Sequence, residues 1–442
     1  MLRKMFVGLV LIAVAVGAVG VAPAKAQDTV TITLWIMPNG PDPAGAIEAE
    51  IAAFEEMYPN INVEYEILDW GSAWTRITTA ATSGEGPDVS QLGTTWVAAI
   101  DAMGALEPME LDAAKFTPAS FNTATPIGKD MPASVPWFTD VRAIIYRTDV
   151  FEQLGLDADE AFMDWNTFVD TLQAIKDSDI MDDSGNEPMA PFAFPGKNDW
   201  NVPHNFIPWI WSNGGDWFNE DLTEAAINSP EAVEAIFFYA NLYNQGFTPS
   251  DTLEKNSAEI DGGFQDGKYA MIISGPWMVS GSRVPEDQGG WSEKKAAQNM
   301  AVHEIPNSPN TGEHYTFVGG SNLTLWKNSA HKEEAQMLID FLTTPESQVR
   351  YCTTIGMLPA VVEALDDPAI SEDPDYSVFK AAVANGKSYP ALAAWGAIEN
   401  ELVTTLGALW DDVAAGKVTT PEDIQERLDA AADAIDILLL TE

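Results

Sequence analysis

Between Val135 and Arg147 the chain reads VPWFTDVRAIIYR, and Trp137, Phe138, Asp140 and Arg142 stand within six residues of one another. Aromatic faces cover apolar surface, a carboxylate accepts hydrogen bonds, and a guanidinium donates them in a fixed fork. Two readings fit this stretch taken alone. In one, a loop enters a buried strand, and Asp140 and Arg142 form a solvated ion pair. In the other, the segment passes between two lobes and carries ligand-binding groups where it crosses. Pro136 has no N–H for a ladder and is expected to end whatever precedes it. Ala143-Ile144-Ile145-Tyr146 reads as a short strand.

Other residues of the same chemical kinds sit at turns. Ser274-Gly275-Pro276-Trp277 follows an apolar strand, Ala270 to Ile273, and presents Trp277. Phe317 to Leu325 reads as a strand interrupted by Gly319-Gly320, where something approaches the backbone closely. Trp200 to Phe218 is the densest aromatic patch, with Trp200, Phe206, Trp209, Trp211, Trp217 and Phe218. Within it either Trp209 or Trp211 is core, and Trp211 is the one favoured for a ligand. His204 is as well read as core as ligand contact. Trp70 and Trp74, four apart, are read as packing. His303 and His331 are ordinary strand and surface residues.

The elements that position these groups follow from periodicity. Strands are expected at Thr29 to Met37, Asn60 to Ile67 and Asp88 to Leu92, with helices at Ala44 to Tyr58 and Ala73 to Thr82 between them. That alternation implies a parallel α/β sheet. Ligands of such sheets lie beyond the carboxyl ends of the strands. The loops there hold Asn39 after the first strand, and Thr95 and Trp96 after the third. Further helices are expected at Thr148 to Leu154, Met163 to Lys176 and Pro230 to Asn244. Another strand is expected from Gln298 to Ile305, and helices are expected to follow the Phe317 to Leu325 strand to the end. Ser178 to Asn186 is acidic, but it lacks the Gly and closing Glu register of a calcium loop and reads as solvated.

Composition bounds the function. Residues 1–26 carry Arg3 and Lys4, an apolar run from Phe6 to Ala22, and Ala24-Lys25-Ala26, the layout of a cleaved secretory leader. No Cys near that point offers a lipid anchor. The single cysteine, Cys352, is expected to be a buried apolar residue. Without the leader's three basic residues the formal charge moves from −45 to −48. Such a surface repels nucleic acid and anionic membrane, and high salt would screen its self-repulsion. No nucleophile elbow, HExxH, P-loop or dinucleotide fingerprint is present, and no His/Cys cluster has metal-ligand spacing. Neither a cofactor nor a metal is expected.

Taken in order, TLWIMPNG, SGEGPDVSQLGTTW, VPWFTDVRAIIYRTDVFEQLG, WNTFVDTLQAIK, WSNGGDWF, GKYAMIISGPWMVSG, VGGSNLTLWKNSAHKEEAQMLIDFLTTPESQ, GMLPAV and YPALAAWGAIENEL span essentially the whole mature chain. In this joint order the chain resembles the periplasmic sugar-binding proteins of ABC transporters, the solute-binding family that includes the maltose-binding protein. The resemblance implies an α/β protein of the two-lobed periplasmic binding fold (type II), with sugar in the cleft. Residues 27–138 and 304–342 would form the N-terminal lobe, and 139–303 and 343–442 the C-terminal lobe. Crossings would fall near Trp137 to Arg142, Glu304 to Asn307 and Phe341 to Thr344.

The resemblance further points to Asp140 as an acceptor for sugar hydroxyls, with Arg142 bracketing the same sugar. Trp277 and Trp395 match ring-stacking positions, Gly319, Gly320 and Ser321 match a backbone-contact segment, and Asn39 and Trp96 sit on loops facing the cleft. The ligand-binding set expected is therefore Asn39, Thr95, Trp96, Asp140, Arg142, His204, Trp211, Trp277, Gly320, Ser321 and Trp395. The implied partners are a sugar and a membrane permease, for a periplasmic monomer without catalysis. Two rivals remain at this point: a binder of a quaternary amine held by cation–π attraction, and a glycoside hydrolase using paired carboxylates.

Overall fold

A computed structural model describes residues 29–196, 199 and 201–440. The expected leader and Trp200 lie outside them. The strands are β1 (Val30–Ile36), β2 (Ile61–Ile67), β3 (Val89–Gly93), β4 (Val135–Thr139), β5 (Ala143–Arg147), β6 (Met271–Ser274), β7 (Met300–His303), β8 (Thr316–Phe317), β9 (Ser321–Leu325), β10 (Leu358–Pro359) and β11 (Gly386–Lys387). One sheet runs β10-β4-β9-β3-β1-β2, a second β6-β5-β7, and β8 pairs with β11. The first three strands are parallel, joined by helices Pro43–Met57 and Trp70–Ser83. Asp42 and Asp69 start those helices by accepting from the Gly45 and Gly71 amides, and left-handed Gly84 ends the second. The parallel α/β unit expected from periodicity is thus present.

Each main sheet has its own core. Ile32, Leu34, Phe54, Val135, Leu323 and Leu338 are among the apolar side chains packed around the first sheet. Around the second lobe Trp165, Phe168, Trp209, Tyr239 and Trp410 form an aromatic core. Helix Val202–Ser212 is buried along its whole length, so most of the aromatic patch is packing. A third cluster, with Val141, Val302, Val318, Leu365 and Phe379, lies where the chain passes between lobes.

Several expectations change. Pro136 does not end a segment: it lies inside β4, at a register irregularity between Pro136 and Phe138 that spares its missing N–H. The double glycine splits the expected long strand into β8 and β9. The second crossing is not at Glu304 to Asn307. Asn307 accepts from the Trp165 amide, inside the second lobe, and the chain returns at Val318, which bridges to Val141. Nor does it leave the first lobe at Phe341 to Thr344. Helix Pro345–Ile355 packs Tyr351, Cys352 and Ile355 into the first core, and β10 joins the first sheet. The third passage follows Val361, which packs in the first core, and precedes Leu365 in the central cluster.

The acidic loop is also not wholly solvated. Arg147 is completely buried, and its guanidinium binds Asp149 at 2.8 Å and Asp183 at 2.9 Å. Cys352 is buried, as its lone thiol suggested.

Candidate functional site

The passage from β4 to β5 runs antiparallel to the return passage from β8 to β9. The Gly319 amide donates to the Asp140 carbonyl at 3.0 Å. The two glycines are required by this approach. A Cβ on Gly319 would stand 2.7 Å from Asp140 Oδ1. One on Gly320, whose φ is +118°, would stand 2.2 Å from the Phe138 carbonyl oxygen.

Asp140 and Arg142 are not a solvated pair. Arg142 is buried and donates to Asp140 Oδ2 at 3.2 Å and to Asn201 Oδ1 at 2.9 Å. Asp140 Oδ1 is buried and has no hydrogen-bond partner among the described residues. The guanidinium lies 4.9 Å from the Trp277 ring centroid and 5.9 Å from that of Phe317. Trp277 opens helix Trp277–Arg283, and its Nε1 donates to Asp261 Oδ2 at 2.8 Å. A carboxylate, a forked donor and half-buried aromatic surface thus meet at the crossing.

His204 and Trp395 continue this cluster inward. The His204 ring stacks on Phe317 at 4.2 Å, and its Nδ1 lies 2.9 Å from the Tyr389 hydroxyl. Tyr389 stacks on Trp395 at 4.2 Å, and Trp395 Nε1 donates to Glu399 at 3.3 Å. Burial pushes the Glu399 carboxyl up to about 7 and holds the imidazole well below its usual range. Their 4.0 Å approach is therefore weaker than an ordinary ion pair, because the imidazole is held neutral. Trp395 is 1 % exposed, so its ring lies beneath this cluster.

Trp211 is buried at one side of a groove of about 540 Å³ in the second lobe, lined also by Asp216, Tyr315 and Lys387. Lys387 Nζ sits 3.8 Å over the Tyr315 ring. Desolvation lowers that ammonium's pKa, and burial raises that of Asp216.

The first-lobe residues fall in two groups. Asn39 and Ser321 belong to a buried network. Asn39 Nδ2 donates to Gln91 and to the Tyr351 hydroxyl, each at 3.0 Å, and Gln91 donates to Ser321 Oγ at 2.8 Å. Their polar atoms hold the sheet ends together, apart from the Asp140 cluster. Gly320 accepts from the Thr94 amide at 3.1 Å, which leads into Thr95 and Trp96, both half-buried. Trp96 packs against Trp70 at 5.5 Å and Trp74 at 5.4 Å. Trp74 also reaches the other lobe: a Cβ on Gly396 would meet its ring at 3.6 Å.

The sequence reading missed Gln91, Asn201, Asp261, Phe317, Tyr389 and Glu399. Only Glu399 left a trace, one helical turn beyond Trp395. Among the described residues no group of three or more His, Cys, Asp or Glu is placed to hold a metal, and no helix is long and apolar enough to cross a membrane.

Similarity to known proteins accords with this geometry. A putative binding protein of Brucella abortus (strain 2308) is 25% identical over 391 residues, covering 87% of this chain and 88% of that one. The diacetylchitobiose binding protein DasA of Streptomyces coelicolor is 22% identical over 387 residues, 84% of this chain and 82% of its own. A solute-binding protein of Thermotoga lettingae, bound with alpha-D-tagatose, superposes with a TM-score of 0.77 at 22% identity, over 93% of this chain and 100% of that one. Maltose-bound MalE3 of T. maritima gives 0.77 at 24% identity, over 92% and 100%. These likenesses establish the two-lobed α/β fold of periplasmic binding proteins. Residues 38–349 match the model of the bacterial extracellular solute-binding proteins, and the chain belongs to that family.

Proposed function

We propose that this protein captures a sugar between its lobes and delivers it to the membrane permease of an ABC importer. The observation that carries the reading is Asp140 Oδ1, a buried carboxylate oxygen with no partner among the described residues, beside the Arg142 fork on its aromatic seat. Burying an acceptor without a partner is costly, and a sugar hydroxyl would satisfy it. A sugar ring has apolar C–H faces for an indole and a hydroxyl belt for carboxylate and guanidinium. The printed ligands of similar proteins, diacetylchitobiose, maltose and tagatose, support the class. We further propose that residues 1–26 are a cleaved leader, that the mature protein works in the periplasm as a monomer, and that it neither catalyses nor needs a metal.

A buried guanidinium beside the site opposes a cationic ligand, which disfavours a quaternary amine. One calorimetric screen of mono- and oligosaccharides against betaine and choline tests the reading. Binding heat with a sugar and none with the amines is expected. Binding of an amine alone would overturn it. Sugar binding is expected to survive chelator, and a loss restored by calcium would contradict the metal-free site.

A further inference from the structure

Trp277 is held differently from most of the chain's buried indoles, although Trp395 and Trp326 also donate, to Glu399 and to Ser90. The Nε1 groups of Trp137, Trp165, Trp209 and Trp410 have no hydrogen-bond partner among the described residues, so packing alone fixes those rings. Trp277 is only half-buried, and its edge is gripped by a carboxylate. Asp261 Oδ2 accepts from Nε1 at 2.8 Å, and Asp261 Oδ1 accepts from Ser274 Oγ at 2.8 Å. The ring lies over Gly275, where a Cβ would stand 2.0 Å from it. The Arg142 guanidinium also lies over the ring, 4.9 Å from its centroid. Beside it is a pocket of about 20 Å³, room for a water, in which Arg142, Asn201, Asn205 and Asp261 meet Ile260 and Ile273.

We propose that Asp261 is a positioning residue of the ligand site, fixing the plane of the Trp277 indole and thereby the place of the Arg142 fork beside Asp140. This rests on the reading of that cluster as the sugar site. The chain of contacts is continuous: Asp261 to Trp277, Trp277 to Arg142, Arg142 to Asp140. Turning the indole away from Asp261 breaks a charge-assisted hydrogen bond, stronger than a neutral one. An anionic acceptor on the N–H also polarises the indole and strengthens its pull on the cation above.

Two charged groups bear on Asp261 from neighbouring elements. Arg142 on the crossing favours the carboxylate, and Asp199, which accepts from the Ser257 hydroxyl, opposes it. Burial outweighs the hydrogen bonds and places this carboxyl at about 6.

The test has two readouts. Without ligand, the near-ultraviolet circular dichroism difference between the native protein and Trp277→Phe isolates this indole, and its pH titration is followed. A transition near pH 6, absent when the pair is rebuilt on Asp261→Asn, is expected. With the best-binding sugar, native affinity should fall about three- to tenfold from pH 7.5 to pH 5. Asp261→Asn should show the weakened affinity at both pH values. A flat indole signal, or a variant with native affinity and native pH slope, overturns the proposal. If no sugar binds the native protein, the sugar reading fails, and the ligand-free indole signal alone decides the role of Asp261.

Discussion

Glu399 is a carboxyl that folding makes harder to ionise. Its pKa, about 7, stands above the ordinary value of 4.5 because burial opposes the charge. A raised carboxyl contributes its stability below its unfolded pKa and loses it as pH rises through the folded one. Glu399→Gln keeps an acceptor for Trp395 and removes the ionisation. Relative to the native protein it should therefore gain stability between pH 5 and pH 8, by roughly 3 kcal/mol at the upper end. Urea unfolding at both pH values measures this, and a constant difference would contradict it. At this scale the crossing was legible, because Trp137, Asp140 and Arg142 are neighbours in sequence. The network around Asn39 and Ser321 was not legible, because their shared partner, Gln91, is 52 residues from one and 230 from the other. No local pattern announces such a partner.

Among the elements, the paired crossing strands depend on two glycines. Gly320→Ala adds a methyl group against the Phe138 carbonyl at a strained φ, and should cost on the order of 2–4 kcal/mol. Gly104→Ala has positive φ but no atom within 4 Å, and should cost only about 1–2 kcal/mol. Chemical denaturation separates the two, and equal costs would show that the close approach is unimportant. The close approach was legible from Gly319-Gly320 itself. The strand containing Pro136 was not, since proline normally stops a ladder and only the local irregularity accommodates it. The crossings at 318–320 and after Val361 were misplaced for a related reason. Amphipathic helices such as Pro345–Ile355 show which face is buried, but not against which lobe.

For the whole molecule, charge and lobe contact set the behaviour. The formal charge of −48 without the leader makes the compact chain repel itself, so the melting temperature should rise through a salt series. A flat or falling series would count against that. The lobes meet where Trp74 faces Gly396 and where the Ile127 amide donates to the Ala391 carbonyl at 2.9 Å. A ligand touching both sides would favour the closed arrangement by its differential affinity. The most direct test of a sugar held at the crossing is titration calorimetry of Asp140→Ala with the sugar that binds the native protein best. A folded variant that has lost on the order of 1–3 kcal/mol of binding is the expected result. Native affinity in that variant would contradict the account.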